Sequence, residues 1–259
     1  MQNLYKLTAA IIIAAACSLV HAEKTRVILD TDANNELDDQ HAIAYTLFNG
    51  NDFEVEAITV NRTSGGGPVQ NHYAEADRVV KLCDLDGKIK VLTGADGNFD
   101  EIKDDLANPN HDGHEAVDYI IKQAHVPSDN KLVLLPIGKL TNIALALKKD
   151  PSIASKVRIV WLGSNYPAPG EYNQDNDLPS VNYVLNSDVP FEIALVRYGK
   201  PSGTAAVARS STIPAPKLVD KNWVERPGNA RKIVLWEDFD SDKIMTDFYQ
   251  TMQSPVLVK

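Results

Sequence analysis

Five carboxylates fall within ten residues near the start of the chain, residues 30–39, whose sequence is DTDANNELDD. No basic residue within this stretch could neutralise them. Crowded carboxylates are relieved by a bound cation, and carboxylates and amides without His or Cys favour a hard, oxygen-liganded one. A water held by such a cation beside a carboxylate becomes a nucleophile near neutral pH. The stretch predicts a metal site; a solvated acidic loop is the alternative.

Two further polar stretches follow apolar runs of the sequence. Residues 136–144, PIGKLTNIA, place Pro-x-Gly after an apolar run, which leaves main-chain carbonyls available at that point. Residues 170–179, GEYNQDNDLP, follow a run that ends at Gly163 and combine carboxylates with amides, which accept from and donate to sugar hydroxyls. Taken singly, the first also fits an ordinary strand–turn–helix and the second also fits a surface loop.

The elements that must position these residues alternate between strand and helix. Apolar, β-branched runs predict strands, and apolar residues at helical spacing predict helices. The predicted strands are residues 26–30, 54–61, 90–92, 132–136, 157–162, 191–196 and 233–235. The predicted helices are residues 37–48, 69–82, 115–123, 140–147 and a segment around 180–185.

This alternation predicts an α/β fold with an open, mostly parallel, Rossmann-like sheet and helices on both of its faces. Residues 197–230 are rich in Pro, Gly, Ser and Lys and are expected to be irregular. Open parallel sheets bind ligands beyond the carboxyl ends of their strands. Since the three polar stretches follow such ends, we expect them to meet at one edge of the sheet.

The first residues have the layout of a secretory signal peptide. Lys6 precedes an apolar run of residues 7–20, and residues 20–22, Val-His-Ala, form a small-x-small cleavage pattern. The run is short for a membrane span. We predict a signal peptide over residues 1–22 and export to the periplasm or the medium. The alternatives are a buried helix, an uncleaved anchor and a lipoprotein lipidated at Cys17.

Composition narrows the classes of ligand. The 259 residues include 35 acidic and 26 basic ones and carry a net charge of −9, which disfavours nucleic-acid polymers and favours a small neutral or cationic ligand or a metal. Only Cys83 lies beyond the signal peptide, which excludes a disulfide framework. Residues 23–259 suffice for one large domain, with no membrane contact expected after cleavage. Homo-oligomerisation is left open.

Taken together and in this order, the three polar stretches resemble the nucleoside hydrolase family, and the inosine/uridine-preferring members in particular. That family opens with Asp-x-Asp followed shortly by Asp-Asp, which residues 30–32 and 38–39 match. Its Pro-x-Gly-x-Leu-Thr-Asn-x-Ala signature matches residues 136–144, and its Glu-Phe-Asn…Asp-Pro stretch is similar to residues 171–179. The resemblance covers about residues 26–197 and implies the nucleoside hydrolase fold.

The resemblance implies calcium-dependent hydrolysis of the N-glycosidic bond of a purine nucleoside or related N-riboside, giving free base and ribose. It implies a Ca²⁺ ion that holds the nucleophilic water and two ribose hydroxyls. Asp32, Asp39 and the main-chain carbonyl of Ile137 match its ligands, and Asp32 also matches the proposed general base. The positions that match sugar-binding residues are Asp38, Asn61, Glu171 and Asn173.

The chemistry of the reaction agrees with these roles. Departure of the base leaves positive charge on the ribose ring, and a ring of oxygen atoms around it would stabilise that charge. Such oxygens would come from Asp32, Asp38, Glu171 and the carbonyl of Asn173. Asp32 and Asn173 are therefore the expected catalytic residues.

Two departures from the family pattern concern loop length. Five residues separate Asp32 from Asp38, more than the usual Pro-Gly-x insert, so the shape of this loop does not follow from the resemblance. The C-terminal region is short beside that of typical members, so we expect a helical region near the base pocket to be lost.

A third departure concerns the family's C-terminal His-Asp pair, which has no literal match. Residues 236–240, WEDFD, follow an apolar strand and are the candidate. Asp238 is favoured as the last calcium ligand, with Glu237 and Asp240 close behind. Trp236 either stacks on a purine or belongs to the core. Without a histidine to protonate the leaving base, we expect uridine to be the poorest substrate.

Two other functions fit parts of the sequence. A phosphatase of the haloacid dehalogenase type also begins with Asp-x-Asp after a first strand, but it needs Thr where this chain has Asn34. A non-catalytic protein of the same fold that captures nucleosides or sugars is favoured by the missing histidine. Ribose release from inosine or uridine would support the hydrolase, and turnover of p-nitrophenyl phosphate alone would support the phosphatase.

Overall fold

The structure, a computed structural model, describes residues 24–196 and 209–259. The predicted signal peptide, residues 1–22, lies outside the described residues. Within the described ranges, eight strands form one sheet: β1 (Thr25–Thr31), β2 (Phe53–Val60), β3 (Val91–Thr93), β4 (Leu132–Pro136), β5 (Val157–Leu162), β6 (Phe191–Ala194), β7 (Arg209–Pro214) and β10 (Lys232–Glu237). The short strands β8 (Lys217–Val219) and β9 (Asn222–Val224) pair separately.

Helices lie between the strands, as the alternating pattern predicts. They are α1 (Leu37–Phe48), α2 (Val69–Leu82), α3 (Phe99–Ile102), α4 (His114–Ala124), α5 (Thr141–Lys149), a 3-10 turn (Pro151–Ser155), α6 (Tyr172–Asn176), α7 (Leu178–Leu185) and α8 (Ser241–Gln253). No helix in the described part of the chain has the length and apolar character needed to cross a bilayer.

The strand order places the expected ligand edge at the middle of the sheet. The order is β3-β2-β1-β4-β5-β6-β10-β7, with neighbours parallel except β10 and β7, which confirms the mostly parallel sheet. From β1 the chain builds the sheet first toward β3 and then, from β4, in the opposite direction. Beyond the carboxyl ends of β1 and β4 there is consequently a crevice of the kind in which open α/β sheets bind ligands.

The core lies on both faces of the sheet, which confirms that helices cover each. Side chains alternate along β1: Ile28 packs in one cluster with Val117 of α4 and Ile143 of α5, whereas Leu29 packs in a second cluster with Ile43 of α1. All five are buried. Because alternate residues of β1 are buried on opposite faces, the register of β1 in the sheet is fixed. The position of the residues that follow β1 is therefore fixed as well.

The prediction that residues 197–230 are irregular is wrong for the part that the structure describes. Residues 209–224 contain β7, β8 and β9, while residues 197–208 lie outside the described ranges. β7, with the sequence RSSTIP, is the outermost strand of the sheet and pairs only with β10. An outer strand tolerates polar residues, so its apolar alternation is too weak to read from the sequence.

The expected loss of a helical region relative to typical members stays a prediction, but a helix does lie near the end of the chain. The helix α8 covers 13 residues near the end of the chain, and its start borders the crevice described below. It has no fully buried residue.

Candidate active site

A cavity of about 520 Å³ opens beyond the carboxyl ends of β1, β4, β5 and β6. One side of its wall is polar and comes from residues that follow β1 and from α6. The other side is mainly apolar and comes from β6 and the beginning of α8. The lining residues are Asp32, Asn35, Glu36, Asp38, Asp39, Ile137, Leu162, Glu171, Tyr172, Asn173, Ala194, Leu195, Val196, Phe239, Ser241, Ile244 and Met245.

Two buried carboxylates lie at the floor of the polar side. Asp32 is 1% exposed and Asp39 is 5% exposed. The hydroxyl of Thr63 donates to Asp32 Oδ2 at 2.5 Å, and the hydroxyl of Thr31 donates to Asp39 Oδ1 at 2.5 Å. Burial, and then the nearby charge of Asp32, raises the pKa of Asp39 to about 8, and burial also raises the pKa of Asp32. Such a pair favours a bound cation or a proton.

The space beside Asp32 is kept open by a glycine. A Cβ atom on Gly138 would lie 2.7 Å from Asp32 Oδ1 and 3.1 Å from Asn61 Oδ1, closer than side chains tolerate. Asn61 is fully buried and donates from Nδ2 to Asp30 Oδ2 at 2.8 Å, but its Oδ1 has no hydrogen-bond partner. Buried polar atoms are rarely left without a partner. Two oxygens therefore face one small region that a hard cation or water would complete.

The main-chain carbonyl of Ile137 lies where β4 ends, and Asn173 reaches it. Asn173 Nδ2 donates to Ile137 O at 2.8 Å and to Leu162 O at 3.1 Å. Both hydrogens of the amide are thus committed to carbonyls at the ends of β4 and β5. Asn173 also lines the cavity, so its amide is fixed in place beside the space that a ligand would occupy.

Glu171 holds the loop that carries Asn173. Its carboxylate accepts from the main-chain N–H groups of Ser164, Asn173 and Gln174 at 2.8, 3.1 and 2.8 Å, so it caps the start of α6. The side chain of Glu171 is buried, and this burial raises the pKa of its carboxyl group. The residue therefore both lines the cavity and fixes the backbone of its neighbour.

The asparagine of the Leu-Thr-Asn segment has a structural task. Asn142 Nδ2 donates to Asp30 Oδ1 at 2.7 Å and to Val60 O at 2.9 Å, and its Oδ1 accepts from Ala95 N at 2.9 Å. These contacts join the ends of β1, β2 and β3. Asp30, buried beneath them, has its pKa raised to about 6 mainly by desolvation, and it does not line the cavity.

Comparison with known families decides between the alternatives. The family model described as inosine-uridine preferring nucleoside hydrolase matches residues 27–255, most of the chain. The chain belongs to this nucleoside hydrolase family. This membership excludes the haloacid dehalogenase alternative, whose opening Asp-x-Asp is shared only as a local pattern.

Solved nucleoside hydrolases have the same fold. The inosine-uridine preferring nucleoside hydrolase from Bacillus anthracis superposes with a TM-score of 0.68 at 14% identity, over 89% of this chain and 99% of that one. The purine-preferring ribonucleoside hydrolase from Gardnerella vaginalis gives 0.64 at 18% identity, over 88% and 98%. At these identities the superpositions establish the fold alone.

Curated relatives match at higher identity but over shorter segments. The probable uridine nucleosidase 2 of Oryza sativa subsp. japonica is 30% identical over 185 residues, 63% of this chain and 50% of the relative. The putative pyrimidine-specific ribonucleoside hydrolase RihB of Shigella boydii serotype 4 is 36% identical over 104 residues, 38% of this chain and 41% of the relative. The chain spans half or less of the length of these relatives.

Within the nucleoside hydrolase fold, the predicted site residues fall into two groups. The structure brings six of them to one cavity wall, and these are Asp32, Asp38, Asp39, Ile137, Glu171 and Asn173. Asp38 is exposed at the mouth. Asn61 lies directly beneath that wall, next to Asp32.

Trp236 and Asp238 are not brought to this wall. Trp236 Nε1 donates to Glu192 Oε2 at 2.7 Å, and its ring is not part of the cavity lining. Asp238 follows β10 and is not among the lining residues, although the next residue, Phe239, is. No three His, Cys, Asp or Glu side chains of the described residues converge on a point that could hold a metal. The structure thus places the Trp236 indole against Glu192 and outside the cavity lining, and metal binding by Asp238 stays a prediction.

Several residues of the site were missed by sequence reasoning. The hydroxyls of Thr31 and Thr63 donate to the two floor carboxylates. Thr63 could have been found from its place in the sequence, because it follows β2 and so lies at the same edge of the sheet. The apolar residues Phe239, Ile244 and Met245 line the opposite wall. Ile244 and Phe248 are spaced four apart on α8, so helical periodicity in residues 241–253 was the signal there.

Proposed function

We propose that this chain is an N-glycosyl hydrolase that cleaves ribonucleosides with water into free base and ribose. The observation that carries the proposal is that the buried pair Asp32 and Asp39 lines one cavity together with Asn173, whose amide is fixed by hydrogen bonds to Ile137 O and Leu162 O. Family membership supports the same reaction class. The cavity volume of about 520 Å³ suits a ligand of nucleoside size.

We further propose that the site uses Ca²⁺, as the resemblance of the first motif implies. The donor set fits a hard cation: two buried carboxylates, Asp32 and Asp39, with the Ile137 carbonyl and the unpartnered Asn61 Oδ1 nearby. All of these donors are oxygens. When bound, such an ion lowers the pKa of a coordinated water and orients it.

The side chains divide the remaining work between them. Asp32 accepts a proton of the attacking water as the water oxygen bonds to C1′ of the ribose. The C1′–N bond breaks, and the base leaves with the bonding pair and takes a proton from solvent. Burial raises the pKa of Asp32, which makes it a better proton acceptor than an exposed carboxylate. The amide oxygen of Asn173 and the carboxylate of Glu171 stabilise the positive charge that develops on the ring.

A ribose-release assay with inosine and uridine, in CaCl₂ or in EDTA, tests the proposal. We expect turnover with Ca²⁺ and its loss in EDTA. Ca²⁺ alone should also raise the melting temperature, since an ion at 100 times its Kd contributes about 2.7 kcal/mol. Asp39→Asn should lose that shift. Absence of ribose in every condition, with a thermal shift caused by nucleoside, would instead support the non-catalytic binding protein.

We also propose a preference for purine nucleosides or related N-ribosides. The apolar wall of Phe239, Ile244 and Met245 offers contact area to a leaving base, and no histidine occurs among the described lining residues. The curated relatives above are named for uridine or pyrimidines, and the Gardnerella protein for purines, so the preference must be measured.

We expect a higher kcat/KM for inosine than for uridine. Phe239→Ala should lower kcat/KM for inosine about tenfold, mainly by raising KM, because an aromatic contact contributes about 0.5–1.5 kcal/mol beyond the area it buries. Tyr249→Ala is the control, since Tyr249 is 57% exposed on α8 and does not line the cavity. Equal kcat/KM values for the two nucleosides would mean that a protein acid serves the leaving base.

Export remains part of the proposal. Residues 1–22 have the composition of a signal peptide, and we propose that the enzyme acts in the periplasm or outside the cell. N-terminal sequencing of the secreted or periplasmic form would locate the cleavage site, which we place after Ala22.

A further inference from the structure

The hydroxyl group of Tyr172 lies where three segments meet at the mouth of the cavity. It accepts from Gly65 N at 2.8 Å and from Ser64 Oγ at 3.1 Å, and it donates to Asn35 Oδ1 at 3.3 Å. A phenol hydroxyl can donate one hydrogen bond and accept two, so these contacts use its full capacity. Tyr172 thereby joins the start of α6 to the loops that follow β1 and β2.

Asn35 continues this connection to the floor of the cavity. Its Nδ2 lies 3.4 Å from Asp32 Oδ2, and its main-chain N–H donates to Asp32 O at 3.0 Å. Asn35 belongs to the five residues that separate Asp32 from Asp38, which is the lengthened part of the first motif. Tyr172, Asn35 and Asp32 therefore form one hydrogen-bonded series.

The backbone of the glycines after β2 packs closely against this hydrogen-bonded series. A Cβ atom on Gly65 would lie 2.2 Å from Asn35 Oδ1 and 3.0 Å from the Tyr172 hydroxyl. One on Gly66, whose φ is +75°, would lie 2.5 Å from Cε1 of the buried His72. Only glycine fits at both positions, so the Ser-Gly-Gly-Gly segment serves as a platform for the lengthened loop.

A second residue of α6 is hydrogen-bonded to the same platform, residues 64–67. Asn176 Oδ1 accepts from Ser64 N at 2.6 Å. Asn176 lies four residues after Tyr172, one helical turn away, so both side chains project from the same face of α6. Asn34 Nδ2 and Asn71 Nδ2 also donate to Gly66 O, at 2.8 and 3.0 Å. Of the two contacts from α6, only that of Tyr172 extends to Asn35.

We propose that Tyr172 is a positioning residue that acts through Asn35 to hold the loop carrying Asp32 in the conformation that hydrolysis requires. Phenylalanine at this position would keep the ring and lose all three hydrogen bonds. The kinetic part of the inference rests on the proposed function. The structural part, the ordering of residues 33–37 and 64–67, does not depend on turnover.

The test begins with Tyr172→Phe. We expect kcat for inosine to fall about tenfold while KM changes little, because the substrate still binds but the reacting groups are less well placed. Amide hydrogen exchange of residues 33–37 and 64–67 should become faster. Tyr119→Phe is the matched control: it removes a hydroxyl that donates to Glu56 O at 3.1 Å, remote from the cavity, and should change neither measurement.

A double-mutant cycle with Asn35→Ala separates positioning from direct contact. If Tyr172 acts through Asn35, Tyr172→Phe should have little further effect on kcat in the Asn35→Ala background. An equal loss in both backgrounds would overturn the proposal, because Tyr172 would then act on the substrate itself. Unchanged exchange in Tyr172→Phe would also overturn it. A wild type that releases no ribose would refute the proposed function, while the exchange measurement would still decide the positioning role.

Discussion

Asp32→Asn is expected to lower kcat by about 100- to 10,000-fold, the range associated with loss of a general base. The substitution keeps the shape of the side chain and its contact with the Thr63 hydroxyl, but it removes both the proton acceptor and one carboxylate of the proposed cation site. Ribose release from inosine, measured with Ca²⁺ present, is the assay. Turnover near the wild-type rate would remove Asp32 from the mechanism.

The melting temperature distinguishes this loss from unfolding. Asp32 is buried, and its charge contributes to raising the pKa of Asp39. Removing that charge relieves repulsion, so in EDTA we expect Asp32→Asn to melt at or above the wild-type temperature. Asp100→Asn is a control for the change in charge, because Asp100 is exposed beside Lys103 and away from the cavity. It should retain both kcat and the response to Ca²⁺.

Much of the site was predictable because parallel strands deliver their carboxyl ends to one edge. Asp32 follows β1, Ile137 follows β4, and Asn173 lies in the stretch after β5, so placing the strands correctly placed these residues. The residue types and spacing in the first two motifs indicated a metal site and a main-chain carbonyl beside it. Neither inference needed the order of the strands in the sheet, only their direction.

The surroundings of Trp236 and Asp238, in contrast, depend on that order. Asp238 also follows a strand, but β10 is separated from β1 by β4, β5 and β6. Nothing in the local sequence of Asp238 encodes this separation. Similarly, the pairing of Trp236 Nε1 with Glu192 arises because β10 lies next to β6, a contact between residues 44 positions apart.

The contacts that hold the loops were out of reach for another reason. Tyr172 is 137 residues from Asn35, and Thr63 is 31 residues from Asp32. Threonine and tyrosine are common residue types, and a single hydroxyl gives no spacing pattern. Long-range hydrogen bonds of this kind become visible only when the loops are placed in space. A carboxylate cluster, in contrast, can be recognised in the sequence, because its members lie within a few residues of one another and must repel one another.

Asn173→Ala and Asn173→Asp are both expected to lower kcat by about 100-fold, the size of effect seen when one preorganised polar group is removed from a charged transition state. KM should rise less, because the contact strengthens as positive charge develops on the ring. A change confined to KM would mean that Asn173 only binds the ground state of the substrate.

Stability should separate the two variants. In wild type, Asn173 Nδ2 donates to Ile137 O and Leu162 O. The aspartate would place an acceptor against these two carbonyls, so Asn173→Asp should melt at a lower temperature than Asn173→Ala, which only leaves them without their donor. The opposite order would show that the amide is not held as the structure has it. Asn182 makes comparable bridges to the main chain of Leu218, away from the cavity. Asn182→Ala should therefore lower the melting temperature while the kcat of the folded enzyme stays at the wild-type value.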